Sequence, residues 1–211
     1  TVGRKRGTAG LKQAALGDLG LQREFRGALG ARTAIVTGTS SAGQCTADQA
    51  SMELYRNNAA RLNPLTIPRT MSNAAASHIA MRYGVTGPAW TVSTACSSAN
   101  HALGQAFWMV RHGLAECAIA GGSEAPFNLG FLKSWEAMRV VAPDTCRPFS
   151  KERKGLILGE GAAILVLEPL EAARARGARI HAEIAGFGMR ADAHHVTMPS
   201  AGGAAAAMRA A

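Results

Sequence analysis

A chain of 211 residues, 47% hydrophobic and 18% charged, can bury one sizeable core or two modest domains and is no disordered segment. No apolar run approaches the roughly 18 to 20 residues of a membrane-crossing helix, and the basic opening TVGRKRGTAGLKQ lacks the apolar core of a secretory signal, so the expected compartment is the cytoplasm. The net charge of +9 calls for an acidic partner; with the cations spread along the chain and aromatics at 5%, nucleic acid is not the expected one.

Apolar, β-branched runs alternate with segments of helical period, the pattern of α/β layers around a largely parallel sheet. Residues 33–37 read as a strand, closed by the small-residue loop 38–43 (GTSSAG), and residues 46–60 as a helix. A loop with Pro64 and Pro68 precedes a helix over 71–83, stopped by Gly84. A strand over 89–93 leads into a turn at Cys96, a helix runs on to His112 with Gly113 as its stop, and a strand covers 115–120. Residues 125–155, with three prolines, read as irregular. A buried strand is expected over 159–168, a short helix with proline at its start over 169–176, another strand over 179–186, and a helix over 202–211. No linker divides the chain, so residues 1–211 read as a single domain.

The four cysteines, at 45, 96, 117 and 146, match no zinc spacing and form no C-x-x-C pair, which predicts reduced thiols and no metal. Free cysteines are commonly buried packing residues, and Cys45, Cys117 and Cys146 are read that way. Cys96 differs. In VSTACSSANHALGQAFW it stands between a strand and a helix start, where the helix dipole and free N–H groups favour a thiolate, the nucleophilic form. A sharp strand-to-helix turn presents such a side chain outward, and the small neighbours Thr94, Ala95, Ser97, Ser98 and Ala99 leave room for a substrate. Covalent acyl transfer is the chemistry this predicts.

VSTACSSA, the upstream YGVTGP (83–88), the downstream AGGSEA (120–125), RPFSKERKGLILGEGAAILVLE (147–168) and GFGMRADAHHVTMP (186–199) together resemble the β-ketoacyl-acyl-carrier-protein synthases, condensing enzymes of the thiolase-like fold. Within that family the chain is similar to the elongating type II enzymes and the nodulation-type synthases. The resemblance implies an α/β chain forming the N-terminal αβα half of a five-layer αβαβα architecture, without the family's first strand and its C-terminal half. Segments resembling HGTGT and K-x-x-x-GH, which supply the family's two histidines and a lysine, do not occur in these 211 residues, and an isolated half is expected to expose a face built for burial.

By the same resemblance, Cys96 is the nucleophile that takes an acyl chain from acyl carrier protein. Malonyl-carrier protein, bearing the second phosphopantetheine thioester, then loses carbon dioxide and condenses with that chain, with no cofactor. Met71 and Trp135 match positions lining the acyl pocket, Arg139 a carrier-protein docking arginine, and His195 an entrance residue with a positioning role. A homodimer paired through the strand leading to Cys96 is expected. Two alternatives stand beside this reading: a catalytically incomplete fragment or partner subunit that only binds carrier protein, and a thiolase acting on coenzyme A esters. Ser150 and Lys154 depart from the family's usual Asp at both positions.

Overall fold

The computed structural model describes residues 25–211. The basic Arg4-Lys5-Arg6 and the rest of the opening segment lie outside the described residues. In chain order the described elements are α1 (Ala28–Ala31), β1 (Thr33–Gly38), α2 (Gln44–Tyr55), α3 (Thr66–Thr70), α4 (Ala74–Tyr83), β2 (Ala89–Val92), α5 (Ser98–Arg111), β3 (Cys117–Glu124), α6 (Leu129–Ala137), β4 (Gly161–Leu167), α7 (Leu170–Ala175) and α8 (Ala201–Arg209).

The strands form one sheet in the order β2-β1-β3-β4. β1 lies parallel to both β2 and β3, with Ile35 opposite Ala89 and Ile119, whereas β4 returns antiparallel along β3. Side chains alternate between the two faces of a strand, and here each face is apolar. Ile35, Cys117, Ile119 and Ile164 join Ala76, Ile79 and Tyr83 of α4 in one core. On the opposite face Ala34, Val36, Ala118 and Ala120 meet Ala102 and Ala106 of α5. Helices on both faces make the expected αβα arrangement. Burial of Ile35, Ile79 and Ile119 contributes about 1.5–3 kcal/mol for each side chain.

The fully buried residues on the α5 face are mostly alanine, and glycines at the strand ends decide how near the start of the helix lies. A Cβ on Gly38 would overlap the Ser98 carbonyl, and one on Gly122 would stand 2.6 Å from Ala99 Cβ. The start of α5 therefore rests on the backbone at the C-terminal ends of β1 and β3.

Several elements depart from the sequence reading. α2 stops at Tyr55 rather than running to 60, because the chain turns through Asn57 and a left-handed Asn58 (φ 49°). The helix expected over 71–83 begins at Ala74, after the separate short turn of α3, and Met71 between them is extended. Residues 125–155 are not wholly irregular. Asn128 Oδ1 accepts the Phe131 N–H at 2.8 Å and starts the nine-residue α6, an N-cap that the neighbouring prolines hid. β4 is an outer strand of the sheet with only Ile164 buried, not the buried strand expected. Residues 179–186 form no strand. At the end of this segment Gly186 lies against the Ala211 carbonyl, and the following Phe187 against Gly104 and Trp108 of α5. Cys146 is exposed, contrary to the packing role expected of it, whereas Cys117 is buried and Cys45 half-buried.

Candidate active site

Where β2 ends, the chain turns through residues 93–97 into α5. β2 is held at its end by the Thr91 hydroxyl, 2.8 Å from that of Thr37 on β1. Ala95 takes a left-handed conformation (φ 50°), which costs an L-residue other than glycine about 1–2 kcal/mol. Such strain persists only where neighbouring groups hold it, and here they are polar. Ser98 Oγ accepts the Thr94 N–H at 2.9 Å and donates to the Ala95 carbonyl at 2.6 Å, closing a ring around the turn. Ser97 Oγ donates to the Thr94 carbonyl at 2.7 Å. The Nδ1 of His101, one turn into α5, lies 3.0 Å from Thr94 Oγ1 and 3.1 Å from the Ser97 carbonyl. With its proton on Nδ1 the ring donates to one of these oxygens; with the proton on Nε2, Nδ1 accepts from Thr94 Oγ1.

Cys96 sits inside this bracket and is exposed. The helix proper starts at Ser98, with Ser97 as its N-cap, so the first-turn amides are partly committed. Ser97 N–H donates to the Thr94 carbonyl and Ser98 N–H to the Ala95 carbonyl. Beside the turn opens a cleft of about 550 Å³ lined by Thr94, Ser97, His101, Met189, Arg190 and Ala191. The GFGMR segment thus stands next to the cysteine turn, placed there by Phe187, whose ring meets His101 and Trp108 edge-on at 5.8 and 5.1 Å. Gly104 leaves the space that this ring fills.

Ser98 is 3% exposed and makes two of the bonds that define the turn. Ser98→Ala is expected to cost about 1–2 kcal/mol in denaturant unfolding, since it removes a buried hydroxyl that makes two hydrogen bonds across the turn. It is also expected to slow alkylation of Cys96 relative to Cys146, measured in the same molecule.

No hydrogen bond or ring contact among the described residues joins the other candidate residues to Cys96. Met71 is 51% exposed between α3 and α4, not on a helix. Trp135, on α6, is half-buried against Phe131 with ring centroids 6.1 Å apart. Arg139 follows the end of α6, exposed and left-handed (φ 56°). His195 lies in the loop that continues from the cleft wall; its Nδ1 accepts the N–H groups of Thr197 and Met198 at 3.1 and 3.2 Å, which puts the ring proton on Nε2 and ties the ring to its own loop.

Asp192 closes the same loop by accepting Ser200 N–H at 2.8 Å and His194 N–H at 3.0 Å. The Ser200 bond first and the His194 bond second hold its carboxyl below the usual carboxylate range. The lowered folded value means that this clasp contributes fully above the unfolded carboxyl pKa of about 3.9 and is lost as pH falls through the folded value. Proteolytic nicking within 193–199 is expected to rise as the medium is acidified below about pH 4, and Asp192→Asn is expected to raise it at neutral pH.

Two residues of this region, His101 and Glu124, were not singled out from the sequence, and Ser98 was read only as a small neighbour of the cysteine. Ser98 and His101 sit at i+2 and i+5 from the cysteine, the second on the next helical turn, a spacing that carries the signal once the helix start is known. Glu124 ends β3, and its carboxylate gathers donors from the loop after β1: Ser40 N–H at 2.6 Å, Ser40 Oγ at 2.7 Å, Thr39 Oγ1 at 3.2 Å and Ser41 N–H at 3.2 Å.

Residues 11–173 match the family "Beta-ketoacyl synthase, N-terminal domain". The chain is 46% identical over 196 residues to Nodulation protein E of Rhizobium sp. (strain N33), covering 93% of this chain and 48% of that protein. It is 36% identical over 174 residues to 3-oxoacyl-[acyl-carrier-protein] synthase 2 of Staphylococcus aureus, covering 80% of this chain and 43% of that protein. Among solved structures, a β-ketoacyl synthase from Burkholderia phymatum STM815 superposes with a TM-score of 0.83 at 31% identity, over 95% of this chain and 50% of that one. The AntDE:AntF complex, a type II polyketide acyl carrier protein with its hexaketide-bound ketosynthase, superposes with a TM-score of 0.79 at 28% identity, over 89% of this chain and 49% of that one. The chain spans about half the length of these relatives. Its strand-to-helix cysteine turn, its αβα layering and this likeness agree, and the chain belongs to the β-ketoacyl synthase family.

Proposed function

We propose that the protein carrying this chain is a 3-oxoacyl-acyl-carrier-protein synthase in which Cys96 is the acyl acceptor. The observation that carries this reading is an exposed cysteine held in a strained turn by hydrogen bonds on both sides of it. Cys96 Sγ attacks the carbonyl carbon of the acyl thioester, and the phosphopantetheine sulfur leaves with a proton. Malonyl-carrier protein then loses carbon dioxide, and its carbanion carbon attacks the Cys96 thioester. The cysteine sulfur departs, releasing a 3-oxoacyl-carrier protein two carbons longer. Splitting the exchange through a covalent intermediate turns one difficult step into two easier ones.

Met71 and Trp135 are proposed to shape the acyl pocket, His195 to position the entrance loop, and Arg139 to meet the acidic carrier protein, a role that fits the net charge of +9. β2 is the outermost strand of the described sheet on its side, and a second copy pairing there gives the homodimer. We place the enzyme in the cytoplasm; no described helix is long and apolar enough to cross a membrane. The chain is proposed to form one domain.

The test supplies acyl-carrier protein and malonyl-carrier protein together and follows carbon dioxide release and 3-oxoacyl product. Condensation dependent on prior acylation is the expected result. Binding of carrier protein with no acyl uptake would instead establish the silent partner subunit.

A further inference from the structure

The Glu124 carboxylate is the most densely engaged acceptor among the described side-chain hydrogen bonds, and every one of its donors comes from residues 39–41. That loop leads into α2 through Gly43, which is left-handed (φ 75°) and whose missing side chain leaves room for the Thr70 backbone. Thr70 ends α3, and the next residue is Met71. A second tie runs beside the first. Cys45 Sγ, in the first turn of α2, donates to the Ala125 carbonyl at 3.2 Å, so the end of β3 holds the loop before α2 through Glu124 and the start of α2 through Ala125.

We propose that Glu124 is a positioning residue for acyl-length selection. By holding residues 39–41 it fixes Gly43, and Gly43 against Thr70 fixes where Met71 stands at the α3–α4 junction. The proposal rests on the reading of Met71 as a wall of the acyl pocket. Its physical basis is that a charged acceptor with several short hydrogen bonds holds a loop far more firmly than neutral contacts do, and that displacing a pocket wall by the width of a methylene group changes discrimination between chain lengths. Glutamine at 124 keeps the shape, removes the charge and turns an NH₂ group towards donors that need an acceptor.

Two measurements on Glu124→Gln test this. In hydrogen exchange, amides of residues 66–72 are expected to exchange faster together with those of 39–43; unchanged exchange at 66–72 overturns the proposal whether or not the protein is an acyltransferase. In competition between short and long saturated acyl-carrier proteins, the ratio of chains loaded is expected to move by about threefold or more, while iodoacetamide alkylation of Cys96 relative to Cys146 stays as in the wild type. In a Met71→Ala background Glu124→Gln is expected to move the ratio no further. A uniform fall across all chain lengths, or an equal shift in that background, overturns it. Failure of the wild type to load any chain overturns the proposed function instead, and the exchange result still decides the link from Glu124 to Met71.

Discussion

Replacing Cys96 with alanine is expected to abolish acyl loading and lower condensation by about 10³-fold or more, because the covalent route has no other acceptor at the turn. Folding stability is expected to change by no more than about 0.5 kcal/mol, since the side chain is exposed and fills no core. Those two outcomes together separate a chemical role from a packing role. Cys96→Ser tests the point more finely. The hydroxyl occupies nearly the same position, so carrier-protein binding is expected to persist while loading falls almost as far, a weaker nucleophile in an unchanged turn. Loading that survives Cys96→Ala would move the acceptor to another residue.

The second large effect concerns two glycines that touch no substrate. Gly122→Val places a branched side chain where even a Cβ would stand 2.6 Å from Ala99 Cβ, and Gly38→Ala drives a methyl group into the Ser98 carbonyl. Each overpacks the contact between sheet and helix at a cost of about 2–3 kcal/mol, read as a lower denaturation midpoint with unchanged slope. The start of α5 has to move away from β1 and β3, and the Ser98 bonds that hold Ala95 move with it. Slower alkylation of Cys96 relative to Cys146 is therefore expected alongside the loss of stability. Gly159→Ala, in open space, is the control and is expected to lie within about 0.5 kcal/mol of the wild type.

The three parallel strands and α5 were legible because their side chains obey simple periods. β1 buries all six residues, and its alternating Ile35 and Val36 feed the two cores on opposite faces. The turn that carries Cys96 was legible for a different reason: over residues 93–98 a strand pattern changes to a helical one. What escaped was decided by contacts far apart in the chain. An apolar alternation over 179–186 reads as a strand, but the described segment forms none, and the following Phe187 fills the space over Gly104 of α5. Met71 looks helical in PRTMSNAAA, yet its backbone is extended, and the preceding Thr70 lies against Gly43, twenty-seven residues away by number. Glu124 shows the same limit: in AGGSEA it is only a strand end, until its partners at Thr39, Ser40 and Ser41 are in place.

The most direct trial of this account is the site of the acyl group after the protein is incubated with acyl-carrier protein, digested and mapped by mass spectrometry. Cys96 and Cys146 are both exposed and Cys45 is half-buried, so accessibility alone would spread the label. The acyl mass is expected on the peptide containing Cys96 and on no other. An acyl group on Cys146 or Cys45, or a protein that binds its carrier and remains unacylated, would contradict the assignment of the β2–α5 turn as the place where the chain is transferred.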